Sequence, residues 1–165
     1  VCDHKGNRAH PLRSGFLRIP CFFKPGIFEA AYVVAILESK DLGINETIEF
    51  LVDTGASRTT ICDKDALRLG IDFGELERLS EGMLGIGGLV DTYVMKNIKL
   101  TFRRENGKSH IENMERVYVL KHAILDERIM RIPSILGRDV LNKYALIYDK
   151  RHETAYITDE KLPLR

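Results

Sequence analysis

The sequence predicts an all-β fold with two short helices, and three observations predict it. From Phe16 onward, short runs rich in β-branched and aromatic residues follow one another at close intervals. Turn residues separate them, most plainly Asp41 with Gly43, the pair Asn106-Gly107, and Asp149-Lys150-Arg151. Only two stretches read as helices, and both are short. A chain of 165 residues has room for one domain and one hydrophobic core. We read residues 1–15 as an arm and residues 16–165 as the domain.

Residues 28–37 hold Tyr32, Val33, Val34 and Ile36 and read as a strand. After the turn through Asp41 and Gly43, residues 47–52 resume an extended pattern, so the two pair as a hairpin that feeds Asp53. Thr59, Thr60 and Ile61 mark a strand over residues 58–62. In the next stretch Asp63 suits a helix cap and Gly70 a helix end. Residues 89–94, 97–103 and 114–120 read as strands, the last two joined at Asn106-Gly107. Residues 137–144 give the second helix, and residues 145–148 with 154–158 a closing hairpin. The expected architecture is a β barrel.

Composition excludes several classes. The chain is 44% hydrophobic and 30% charged, with 25 Lys and Arg against 24 Asp and Glu, so it is neither disordered nor coated with basic charge for nucleic acid. Charge is uneven only at the start of the chain: Lys5, Arg8, Arg13, Arg18 and Lys24 face Asp3 alone, which suits a solvated terminus better than an RNA or membrane contact. The longest apolar run, residues 30–37, is too short to span a bilayer. No charged-then-apolar leader opens the chain, and Val1 in place of Met leaves room for upstream sequence. Cys2, Cys21 and Cys62 are odd in number and irregular in spacing, which argues against a disulfide scaffold and for a cytoplasmic setting. Cys2, His4, His10 and Cys21 match no standard zinc spacing, so no metal is expected. His110, His122 and His152 read as surface residues, and Cys62 as a small buried hydrophobe.

Three segments carry chemistry. Phe50-Leu-Val-Asp53-Thr54-Gly55 sets an acid, a hydroxyl and a glycine directly after an apolar strand, where the glycine permits a sharp turn and a close approach of backbone N–H groups to the carboxylate. An ordinary turn explains that tripeptide better when it stands alone. In Pro133-Ser-Ile135-Leu136-Gly137-Arg138, two apolar residues and a glycine precede a short helix. Gly82-Met83-Leu-Gly85-Ile86-Gly87-Gly88 is rich in glycine, yet a strand comes next, which suits a mobile hairpin tip better than a phosphate loop.

In this order the three segments resemble the retropepsin-like aspartic proteases over about three quarters of the chain. The resemblance implies the family's closed β barrel with a glycine-tipped flap, and a homodimer in which each chain supplies one carboxylate. It implies that Asp53, Thr54 and Gly55 form the catalytic loop. Gly85, Ile86, Gly87 and Gly88 would form the tip of the flap, and Ile135, Leu136, Gly137 and Arg138 would support the loop from behind. Arg58, Thr60, Met83 and Ile135 match pocket-lining positions for a polypeptide substrate, and no cofactor is implied. The helix after Asp63 and the closing hairpin look more like the cellular, DNA-damage-inducible branch than the compact viral enzymes. Viral members often carry an acid where Ser57 stands, paired with the arginine that matches Arg138, so the partner of Arg138 is left open. Two other readings remain: a catalytically silent dimer of the same fold that binds peptides or assembles a larger protein, and a nucleotide-binding β domain that uses the glycine loop.

Overall fold

The computed structural model describes residues 15–26, 29–80, 83–85 and 88–161. Strand β1 (Arg18–Lys24) leads into a hairpin of β2 (Ala30–Ser39) and β3 (Ile44–Val52). Alternation drives this pair: Val33, Ala35 and Leu37 are buried while Val34 and Ile36 face outward, and Ile48 and Phe50 answer from β3. The turn between them closes where Gly43 N–H donates to the Lys40 carbonyl at 3.2 Å, with φ of +65° at Gly43, a conformation that favours glycine. Residue 28, placed in this first strand by the sequence, lies outside the described residues.

The short β4 (Thr60–Ile61) is followed by α1 (Asp63–Arg68), then β5 (Glu77–Arg78), β6 (Met83–Gly85) and β7 (Gly88–Arg103). Gly70, at φ +64°, ends the α1 segment as expected. Asp63 does not cap it. Cys62 occupies the cap position, and the Asp63 carboxylate instead accepts from His122 N–H at 2.8 Å and pairs with His122 Nδ1 at 2.6 Å. A buried long-range partner has displaced the local cap, and it takes His122 off the surface.

The two strands expected over residues 89–103 are one. Asn97 sits in the middle at φ +54°, a left-handed conformation that Asn tolerates, and the ladder resumes on either side of it. β7 pairs with β8 (Ser109–Lys121) along its length, across a turn where Gly107 takes φ +79°. Next come β9 (Ser134–Leu136), α2 (Arg138–Leu141), β10 (Ala145–Asp149) and β11 (Thr154–Thr158). The α2 helix is four residues long, half the length expected.

Strand pairings run β2-β3-β9-β4-β8-β7, and β7 pairs back onto β2 through Ala35↔Phe102 to Glu38↔Lys99. Inside that ring Phe50, Phe102, Leu37, Ile48, Leu100 and Leu136 are among the side chains almost wholly shielded from solvent. Burying a side chain of that size stabilises the fold by about 1.5–3 kcal/mol. β1 joins the ring to the closing hairpin: Arg18 to Cys21 pair with β11, and Phe22 to Lys24 pair with β2. Both edges of β11 are therefore occupied within the chain, and among the described residues the outer edge of β10 has no strand partner. No helix among the described residues is long and apolar enough to cross a membrane.

Candidate active site

Strands β3 and β9 run parallel, with Phe50 opposite Ser134, Leu51 opposite Ile135 and Val52 opposite Leu136. Parallel pairing brings the C-terminal ends of the two strands side by side, so the Asp53 loop meets Gly137 and Arg138. Asp53 N–H donates to the Leu136 carbonyl at 3.2 Å and extends the ladder by one step. The chain then turns sharply: Gly55 N–H donates to Asp53 Oδ1 at 2.8 Å, and Ala56 N–H to the Asp53 carbonyl at 3.3 Å. A Cβ on Gly55 would stand 3.0 Å from Asp53 Oδ1, so glycine is what lets the backbone hold the carboxylate this closely. Asp53 is half-buried, and Thr54 and Gly55 are exposed. One carboxylate oxygen is thus fixed by its own loop, and the group is presented at the surface of a single chain.

Behind the loop, Gly137 lies against Arg58 so tightly that any side chain would collide with backbone. The Gly137 N–H donates to Thr59 Oγ1 at 3.2 Å, and Arg138 N–H donates to the Ala56 carbonyl at 2.9 Å. The partner of Arg138 is the loop's own backbone: Nη1 donates to the Thr54 carbonyl at 3.0 Å and to that of Gly55 at 3.3 Å. Ser57 leaves no acid for the guanidinium, and carbonyls take its place. Asp139 completes the support. Its carboxylate accepts from Thr59 N–H at 2.9 and 3.0 Å and from Thr59 Oγ1 at 2.7 Å. Sequence reasoning missed Asp139; the available signal was an acid in the first turn of the helix after Gly137.

Of the predicted site residues, Asp53, Thr54, Gly55, Arg58, Thr60, Ile135, Leu136, Gly137 and Arg138 come together here. Arg58 is exposed, while Thr60 is 5% exposed and donates through Oγ1 to the Arg58 carbonyl at 3.2 Å. Ile135 is half-buried between Leu51 and Thr60. Met83 and Gly85 lie on the hairpin in which β6 pairs with the start of β7, Gly85 opposite Gly88. Ile86 and Gly87 lie outside the described residues.

A second layer ties β9 to α1, where Ser134 Oγ accepts from Cys62 N–H at 3.1 Å and donates to Asp65 Oδ2 at 2.7 Å. Burial pushes the Cys62 thiol up to about 12, which makes it a packing residue rather than a nucleophile. Cys21, on β1, is pushed up to about 12 by the same cause. Among the described residues no three His, Cys, Asp or Glu side chains are grouped to hold a metal, and Cys2, His4 and His10 lie outside them. His110 is half-buried against Glu112 and Tyr144 rather than at the surface, whereas His152 is exposed.

The solved structures similar to this chain include two proteases. A retropepsin-like aspartic protease from Rickettsia conorii is 20% identical, with 87% of this chain and 90% of that one covered and a TM-score of 0.48. The EIAV protease complexed with the inhibitor HBY-793 is 19% identical, with 72% and 91% covered and a TM-score of 0.42. No curated protein matches the chain. The family model described as aspartyl protease matches residues 41–140, a span that takes in the Asp53 loop, the β6–β7 hairpin and the Gly137 support, and the chain belongs to that family.

Proposed function

We propose that this chain is one half of a homodimeric aspartic endopeptidase of the retropepsin type. The observation that carries the reading is the Asp53 carboxylate, anchored through one oxygen by Gly55 N–H and presented half-buried at the paired ends of β3 and β9. Hydrolysis by this chemistry needs two carboxylates that share a proton, one to activate water and one to polarise the scissile carbonyl. The sequence holds a single Asp-Thr-Gly. A two-fold dimer supplies the second carboxylate, since each residue at such an interface meets its own copy. The unpaired outer edge of β10 offers backbone for that association.

On this reading Thr54 stiffens the two loops across the dimer, and the ring of pairings forms the family's closed barrel. The β6–β7 hairpin is a flap, with Ile86 and Gly87 at its tip over an extended peptide. Main-chain hydrogen bonds supply affinity, and alternating pockets lined by Arg58, Thr60, Met83 and Ile135 supply preference. Helix α1 and the closing hairpin support the likeness to the cellular branch, and unpaired thiols at Cys21 and Cys62 support a cytoplasmic setting.

A peptide-library digest with wild type and Asp53→Asn side by side tests the reading. Cleavage by wild type that disappears in the variant is the expected result, while a folded, peptide-binding wild type with no turnover would favour the silent dimer.

A further inference from the structure

Four residues before Asp53, β3 passes a cavity of about 350 Å³ to which Glu49 contributes. Separate parts of the chain wall it: Lys24 ends β1, Tyr32 lies on β2, Lys64 lies on α1, and Arg131 and Pro133 precede β9. Register relates the cavity to the active site. Tyr32 pairs with Leu51, which pairs with Ile135, and paired side chains share one face of a sheet. Glu49 stands two residues before Leu51 and projects to that same face, while Asp53 comes two residues after Leu51. At about 3.3 Å per residue the cavity lies roughly 13 Å from Asp53 along the strand, the reach of about four residues of an extended peptide.

Its charge is one-sided. Lys24, Lys64 and Arg131 face Glu49 alone. Glu49 is engaged by Lys24, whose Nζ lies 2.5 Å from its carboxylate. The acids on either side of Lys64 are committed elsewhere, Asp63 to His122 and Asp65 to Ser134 and Arg68. Lys64 is exposed, and no described carboxylate pairs with it. Arg131 meets only the exposed Glu127, at 3.5 Å. Lys64, and Arg131 held only by a long, exposed contact to Glu127, therefore present positive charge from two elements at one opening.

We propose that this cavity is a subsite for an acidic side chain of the polypeptide substrate, about four residues from the scissile bond. The proposal rests on the endopeptidase reading and adds a substrate class to it. A two-fold dimer presents the cavity once on each side of the cut.

The test measures kcat/KM on peptide pairs that differ only by Asp or Asn, with the difference moved along the positions flanking the cut. Wild type should favour Asp about fivefold at the matching position, the scale of an exposed charge pair, and the preference should shrink at high salt. Lys64→Glu should abolish or invert the Asp/Asn ratio, Arg131→Gln should reduce it, and Lys64→Arg should retain it. An Asp/Asn ratio unchanged in Lys64→Glu, with Asp53→Asn still inactive, overturns the subsite and leaves the endopeptidase reading standing. Cleavage that persists in Asp53→Asn, or no cleavage by wild type, overturns both.

Discussion

A Cβ placed on Gly137 would lie 2.4 Å from the Arg58 carbonyl carbon and 2.8 Å from its nitrogen, so the support segment and the Asp53 loop are in backbone-to-backbone contact. Neither partner can yield as a flexible side chain would. Gly137→Ala should therefore push the loop outward and destabilise the fold by about 1–3 kcal/mol, the usual scale of overpacking. Thermal unfolding measures this, and a variant that melts with wild type would show that the contact is not tight.

Asp139 holds the same loop through Thr59. Asp139→Ala leaves the buried Thr59 N–H without its acceptor, which costs about 1–3 kcal/mol. Asp139→Asn keeps one acceptor oxygen and should fall between the two in urea midpoint. On the endopeptidase reading Asp139 acts on Asp53 through the loop held at Thr59, so kcat should drop more than KM rises in Asp139→Asn. The reverse split would assign Asp139 to binding.

Glu112 predicts an acid-sensitive part of the stability. Burial opposes its charge, but hydrogen bonds from Lys143 at 2.5 Å, from Tyr144 and from His110 at 2.9 Å outweigh that and hold its carboxyl below the usual value of 4.5. A carboxylate with a lowered folded pKa stabilises fully above its unfolded value and loses that contribution as pH falls through the folded one. Glu112→Gln should thus lower the urea midpoint at about pH 7 and change it much less at about pH 3. Equal losses at both values would mean that packing, not charge, is what Glu112 supplies.

Ile147 tests the proposed dimer. On β10 it is paired with Tyr156 and belongs to the face opposite Leu146, which packs against the core. Truncation of the closing hairpin would be a poor test, because β11 also pairs with β1 and its loss would open the fold. Ile147→Lys instead adds charge beside the free edge. Sedimentation equilibrium should show the dissociation midpoint rising about tenfold or more, equivalent to about 1.4 kcal/mol. An unmoved midpoint would place the interface elsewhere.

The parts legible in the sequence were those whose meaning is local. Asp53-Thr54-Gly55 and Ile135-Leu136-Gly137 carry their geometry in consecutive residues, and the turns at Gly43, Gly70 and Gly107 announce a positive φ. The features that were missed depend on partners far along the chain. Asp63 reads as a cap until His122, fifty-nine residues on, takes its carboxylate. Asp139 is an ordinary acid until Thr59, eighty residues earlier, is laid against it. The strands read over residues 89–94 and 97–103 are one ladder, because β8 supplies partners on both sides of Asn97 and carries the pairing past its left-handed backbone.

β1 changes partner between Cys21 and Phe22, and its first half waits for residues 155–158. The Leu17 N–H likewise donates to Asp159 across 142 positions of sequence. Contacts of such long range form slowly, since a large loop must close before they are rewarded. A growing chain can therefore build the hairpin that feeds Asp53 long before it can complete β1. The sheet that closes through the first half of β1 therefore stays open until synthesis has passed Thr158, however early the Asp53 hairpin has formed.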